Sequence, residues 1–75
     1  MATLTLVKSN NNIFIPHING EVTPFSVVKD GDYAILECTS NHLVMSPKRF
    51  TNSQTLENYI IQANDYINSR KRFTK

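Results

Sequence analysis

His17, Cys38 and His42 are the side chains of this sequence best suited to metal binding or nucleophilic chemistry. Cys38 and His42 stand four apart, but across a strand end and a polar turn rather than on one helix face. No CxxC pair accompanies them, and no fourth ligand, although structural zinc takes four. A nucleophilic thiolate also needs a base within hydrogen-bond reach, and the spacing supplies none. Cys38 therefore reads as a small buried hydrophobe. Asp30 and Asp32 flank Gly31 as a carboxylate pair. Such pairs perform acid–base chemistry only where the site raises one pKa, and a tight exposed turn leaves both solvated. They also lack the length and spacing of a calcium loop. Glycine occurs only at positions 20 and 31, which excludes a glycine-rich phosphate loop. The expectation is a non-enzyme with no cofactor and no metal.

Charge offers more than catalysis does. Lys48-Arg49-Phe50 recurs as Lys71-Arg72-Phe73. The second copy sits where cations complement the negative end of a helix dipole. The first precedes a helix, where cations are mildly unfavourable and free backbone N–H groups attract anions. Lys48, Arg49, Thr51, Asn52 and Ser53 are thus a candidate anion or phosphate site. The alternative is a solvated turn whose Phe50 plugs the core. Arg70, Lys71, Arg72 and Lys75 form a basic C-terminal patch, while residues 1–69 carry four cations against six anions. A mildly acidic body with a basic end does not suit non-specific wrapping of nucleic acid. Zinc-finger spacing, a glycine-patterned clamp and an aromatic-rich strand motif are all missing.

These residues need elements to position them. Thr3 to Lys8 alternates, with Leu4 and Leu6 on one side, and predicts a half-buried strand. Ile13 to Ile18 predicts a second, with Pro16 marking an edge or bulge. Asn19-Gly20 is the strongest local signal, a type I′ turn that joins the second strand to Glu21–Phe25 as a hairpin. Phe25 to Lys29 continues after a bend, and Gly31 turns the chain into Tyr33–Cys38. Ala34, Leu36 and Cys38 are taken as the core face of that strand. Tyr33 and Ile35 then point outward as a candidate protein contact; a reversed register would bury them instead. Leu43 to Ser46 predicts a last short strand. A helix begins between Thr51 and Ser53, with Thr51 and Gln54 as a capping box or Ser53 as the cap. From Leu56, at about 100° per residue, Tyr59, Ile60, Ala63, Tyr66, Ile67 and Arg70 fall in one sector, with Phe73 just outside it. Ile61 lies about 140° from Leu56 and is expected to face water or a partner.

The prediction is one α+β domain over residues 1–75. A small antiparallel five-strand sheet or SH3-like barrel spans about 3–46, and one long C-terminal helix of about 30 Å spans about 52–71. A chain of 75 residues buries one thin core and has little room for an enzyme cleft. No apolar run is long enough to span a membrane, and no signal peptide is expected. A single cysteine excludes a disulfide framework and points to a reducing, cytoplasmic setting. Nine asparagines suit many short elements, and together with small size suit a phage or mobile element. The leading functional expectation is a protein-binding module, an adaptor or inhibitor that covers a partner's surface through Ile61, Tyr33 and Ile35. These features also suit a homodimer built through the helix. The runner-up is a nucleic-acid-binding regulator that uses the basic patches at both ends of the helix.

Overall fold

The computed structural model describes residues 2–73. Turn chemistry organises its first half. Asn19 and Gly20 both take positive φ (54° and 83°), as a type I′ hairpin turn requires. The Asn19 side chain also accepts a hydrogen bond from the Thr3 N–H at 3.0 Å, and its own N–H donates to the Thr3 carbonyl at 2.8 Å. One residue thereby closes the hairpin and anchors the start of the chain. At the second turn, Gly31 has a φ of 62° and Asp32 is not positive, the pattern of a type II′ turn.

Six strands result: β1 (Leu4–Lys8), β2 (Ile13–Ile18), β3 (Glu21–Val22), β4 (Phe25–Asp30), β5 (Tyr33–Cys38) and β6 (Lys48–Phe50). They form one antiparallel sheet in the order β1-β2-β4-β5-β6, with β3 paired to β2. β3 and β4 are the expected third strand and its continuation, broken at Thr23-Pro24. His17 pairs with Val22 and Phe14 with Val27, so two residues of β2 face four of the opposing chain. The surplus forms a bulge opposite Pro16. Buried Thr23 fastens it, donating both its N–H (3.1 Å) and its hydroxyl (2.7 Å) to the Pro16 carbonyl. Proline is tolerated in this inner strand because the ladder is interrupted there.

Two expectations about the sheet fail. It does not close into an SH3-like barrel: β1 and β6 are its edges and lie at opposite ends of the strand order. Nor is Leu43–Ser46 a strand. Residues 39–47 are irregular, and the last strand is Lys48–Phe50. The apolar alternation survives, because Leu43 and Met45 pack on the core while Val44 is 91% exposed. No ladder forms there because β6 pairs with β5 at Ala34, Ile35 and Leu36 instead.

The helix α1 runs from Ser53 to Phe73, 21 residues and about 31 Å. Its cap is neither Thr51 nor Ser53. Asn52 accepts hydrogen bonds through Oδ1 from the N–H groups of Gln54 (2.9 Å) and Thr55 (3.1 Å), and its carbonyl accepts from Leu56. Gln54 does not complete a capping box; its side chain donates to Asn58 Oδ1. Phe50 must enter the core and Thr51 bends the chain, so the position before the first helical residue falls on Asn52.

The core forms between one sheet face and the helix. Phe25, Val27, Ala34, Leu36 and Phe50 from the strands meet Leu56, Ile60 and Ile67. Burying each large aliphatic of the helix contributes roughly 2 kcal/mol. Phe50 also meets Tyr59 in a tilted ring contact, centroids 5.4 Å apart. None of the helices among the described residues is long and apolar enough to cross a membrane.

Candidate functional site

Strand alternation sends half of each strand away from the helix. The register then aligns what emerges. Ile13 pairs with Val28, Val28 with Ile35, and Ile35 with Arg49, so one row crosses β2, β4, β5 and β6. Ile15, two residues along β2 from Ile13, pairs with Val7 of β1. Leu43 and Met45 of the irregular segment pack on the opposite, core side with the helix. Val7 is 42% exposed, while Ile13, Ile15, Val28 and Ile35 are half-buried by one another. The result is an aliphatic patch on the open side of the sheet.

Its rim is polar and carries both signs. The Arg49 guanidinium lies over the Tyr33 ring, 4.5 Å from the centroid. Such stacking holds both side chains without neutralising the charge. The Tyr33 hydroxyl donates to Asp30 Oδ2 at 3.2 Å. Asp30, Tyr33 and Arg49 thus form a chain of contacts along one border of the patch. Glu37, exposed, lies two residues beyond Ile35 on the same side of β5.

Of the two registers open for this strand, the structure takes the one with Ala34 and Leu36 buried and Tyr33 and Ile35 on the opposite side. Ile61 does not face open water. It is half-buried in a cleft of about 310 Å³ with Ile18, Val22 and Pro24. The helix is rolled further than its apolar sector implied. Ile61 turns in toward the β2–β3 hairpin, and Tyr66 turns out to 49% exposure.

The expected anion site is taken apart by the strand that contains it. Lys48 and Arg49 are neighbours in β6 and point to opposite faces of the sheet. Arg49 goes to Tyr33, while Lys48 lies over the Phe50 and Tyr59 rings at 5.9 and 5.8 Å. Thr51, Asn52 and Ser53 line a separate notch of about 120 Å³ with Lys29 of β4 and Asp32 of the β4–β5 turn. Of the basic C-terminal patch, Arg70 and Lys71 are exposed on the last turns. The side chains of Arg72 and Phe73, and all of Lys75, lie outside the described residues.

The sheet separates His17 from Cys38. His17 emerges on the open face, beside Val22, whereas Cys38 packs against the core from the other face. Among the described residues, no group of three or more His, Cys, Asp or Glu is placed to hold a metal ion.

Val7, Ile13, Ile15 and Val28 are the members of the patch that residue patterning missed. A signal was present: β2 and β4 carry large aliphatics at both odd and even positions, unlike a sheet with one solvated face. Comparison with protein-family models, with curated proteins and with solved structures finds no match to this chain.

Proposed function

We propose that this chain is a small non-catalytic protein-binding module. It acts as an adaptor or inhibitor by laying the open face of its sheet on a partner's surface. The observation that carries this reading is the row Ile13–Val28–Ile35, continued by Ile15 and Val7, on the side the helix leaves open. A sheet apolar on both faces favours cover on both. The rim supports the same reading, because arginine and tyrosine are enriched among residues that anchor interfaces. Arg49 and Asp30 along one border, with Glu37 toward the other end of β5, suit a partner with an aliphatic centre and both signs of charge around it. A second copy of this chain has that chemistry and is one such partner. The lone cysteine suits a reducing, cytoplasmic setting.

Nucleic-acid binding is the weaker reading. Its basic residues diverge: Lys48 and Arg49 point to opposite faces, and Arg70 and Lys71 sit at the far end of a helix about 31 Å long.

The test substitutes Val28→Asp and Ile35→Asp, separately and together, in the full chain. Both side chains lie outside the helix-facing core, so circular dichroism should keep its native form. Sedimentation and affinity capture from the native cells are then compared with the parent protein. The expected result is loss of self-association, or of the species captured by the parent. Parent-like sedimentation together with parent-like capture in the double variant overturns the proposal.

A further inference from the structure

The two edges of the sheet are not alike. β6 has three residues, two of them exposed cations, and Pro47 stands before it. Shortness, charge and a nearby proline are the usual guards of an edge. β1 has five residues, and its one cation, Lys8, stands at its end. Leu4, Thr5, Leu6 and Val7 carry no charge, and no proline or bulge interrupts them.

Hydrogen bonding shows which groups of β1 face outward. The Asn19 N–H donates to the Thr3 carbonyl, and the Ser9 N–H donates to the Ile13 carbonyl. Both pairs continue the β1–β2 register, so the odd-numbered residues of β1 bond inward. Leu6 accordingly pairs with Pro16, which has no N–H to give, and the Pro16 carbonyl is turned the other way, toward Thr23. The N–H and C=O groups of Leu4, Leu6 and Lys8 therefore point away from β2. None of them has a hydrogen-bond partner among the described residues.

We propose that β1 pairs antiparallel with β1 of a second copy of this chain, about a two-fold axis at Leu6. Leu6 then faces Leu6, Leu4 faces Lys8, and each pair exchanges two backbone hydrogen bonds. Charge selects this arrangement. The two Lys8 residues stand about 14 Å apart across the seam, beyond the Debye length of about 8 Å at physiological salt. A parallel copy in register would hold them about 4.8 Å apart. On the open side Val7, 42% exposed, meets Thr5 of the second copy at the closer, non-hydrogen-bonded spacing. The axis is normal to the sheet, so both helices lie on one side and both aliphatic patches on the other. The doubled sheet ends on β6 at either side, and no unguarded edge is left. The seam uses the edge and not the open face, so this inference does not rest on the reading above.

The experiment follows the full chain by sedimentation and amide exchange from about 10 μM to about 1 mM, where a contact smaller than a standard interface associates. A dimer is expected. Protection at the Leu4, Leu6 and Lys8 amides should rise with concentration, while Thr5 and Val7 stay protected throughout. In a mixture of labelled and unlabelled chains, an Hα–Hα contact between Thr5 and Val7 of different copies reports the register. Leu6→Pro removes an outward N–H and fills the seam but spares the inner ladder, and should weaken association roughly tenfold or more. Lys8→Pro does the same at an exposed position and serves if Leu6→Pro unfolds the chain. The double variant Val28→Asp with Ile35→Asp should dimerise like the parent, whatever it loses in capture. A chain that stays monomeric at the highest concentration overturns the proposal. So does a dimer whose Leu4, Leu6 and Lys8 amides exchange freely, or one that is lost in the double variant.

Discussion

Asn19 and Asn52 each do through a short amide side chain what no apolar residue could do at the same position. Asn19 tolerates a left-handed backbone and ties Thr3 to the hairpin turn. Asn52 satisfies two of the orphan N–H groups at the start of the helix. Asn52→Ala is expected to cost about 1 kcal/mol of stability in urea unfolding and to speed amide exchange at Gln54 and Thr55. Ser53→Ala should change little, because the Ser53 hydroxyl caps nothing. If Ser53→Ala proves the more damaging of the two, the cap is misassigned. The polar run Thr51-Asn52-Ser53 announced a helix start, but three adjacent capping residues could not be ranked from the sequence. The choice follows from where Phe50 has to stop.

At the scale of elements, the helix and β6 show how neighbours reassign side chains. Local periodicity groups Tyr66 with Ile60 and Ile67 and leaves Ile61 outside. Packing against the sheet rolls the helix so that Ile60 and Ile67 are fully buried, Ile61 is half-buried and Tyr66 is half exposed. Ile60→Ala should therefore destabilise by about 2–5 kcal/mol. Tyr66→Ala should fall within roughly 0.5 kcal/mol of the parent. Paired thermal melts decide this; comparable losses for the two would mean the helix sits on the sheet through its tyrosine edge. In β6 the relevant period is two. It splits Lys48 from Arg49, so two adjacent cations that look like one site serve Tyr59 on one face and Tyr33 on the other.

For the molecule as a whole, the open sheet matters more than any single residue. A closed barrel would have no edges. This sheet keeps two, and both carry cations: Lys8 on β1, and Lys48 and Arg49 on β6. Charge on an edge discourages pairing with stray strands. Among the described residues the cations are thus spread over both edges, Lys29 of the inner strand β4 and the far end of the helix, on a chain that carries six acids. Few phosphates could be met at once. Retention of the protein on a nucleic-acid column should accordingly change little between about 50 and 200 mM salt, where a protein making many phosphate contacts loses orders of magnitude in affinity. A steep salt dependence would restore the nucleic-acid reading and count against the protein-binding one.

Local chemistry alone settled the hairpin at Asn19-Gly20, the turn at Gly31 and the existence of one long amphipathic helix, whereas the inward side of β5 stayed open between two registers until the structure placed Ala34 and Leu36 in the core. The first three rest on interactions within a few residues, where glycine, asparagine and apolar spacing leave few alternatives. Sheet closure, the place of the last strand, the roll of the helix and the separation of Lys48 from Arg49 were decided only by tertiary structure. They depend on which distant segment occupies the free edge of β5 and on how Phe50 and Leu56 share one core. Contacts between residues far apart in the chain leave no periodic mark on either partner. The aliphatic patch from Val7 to Ile35 is of this kind: its members come from four strands, and only the register puts them side by side.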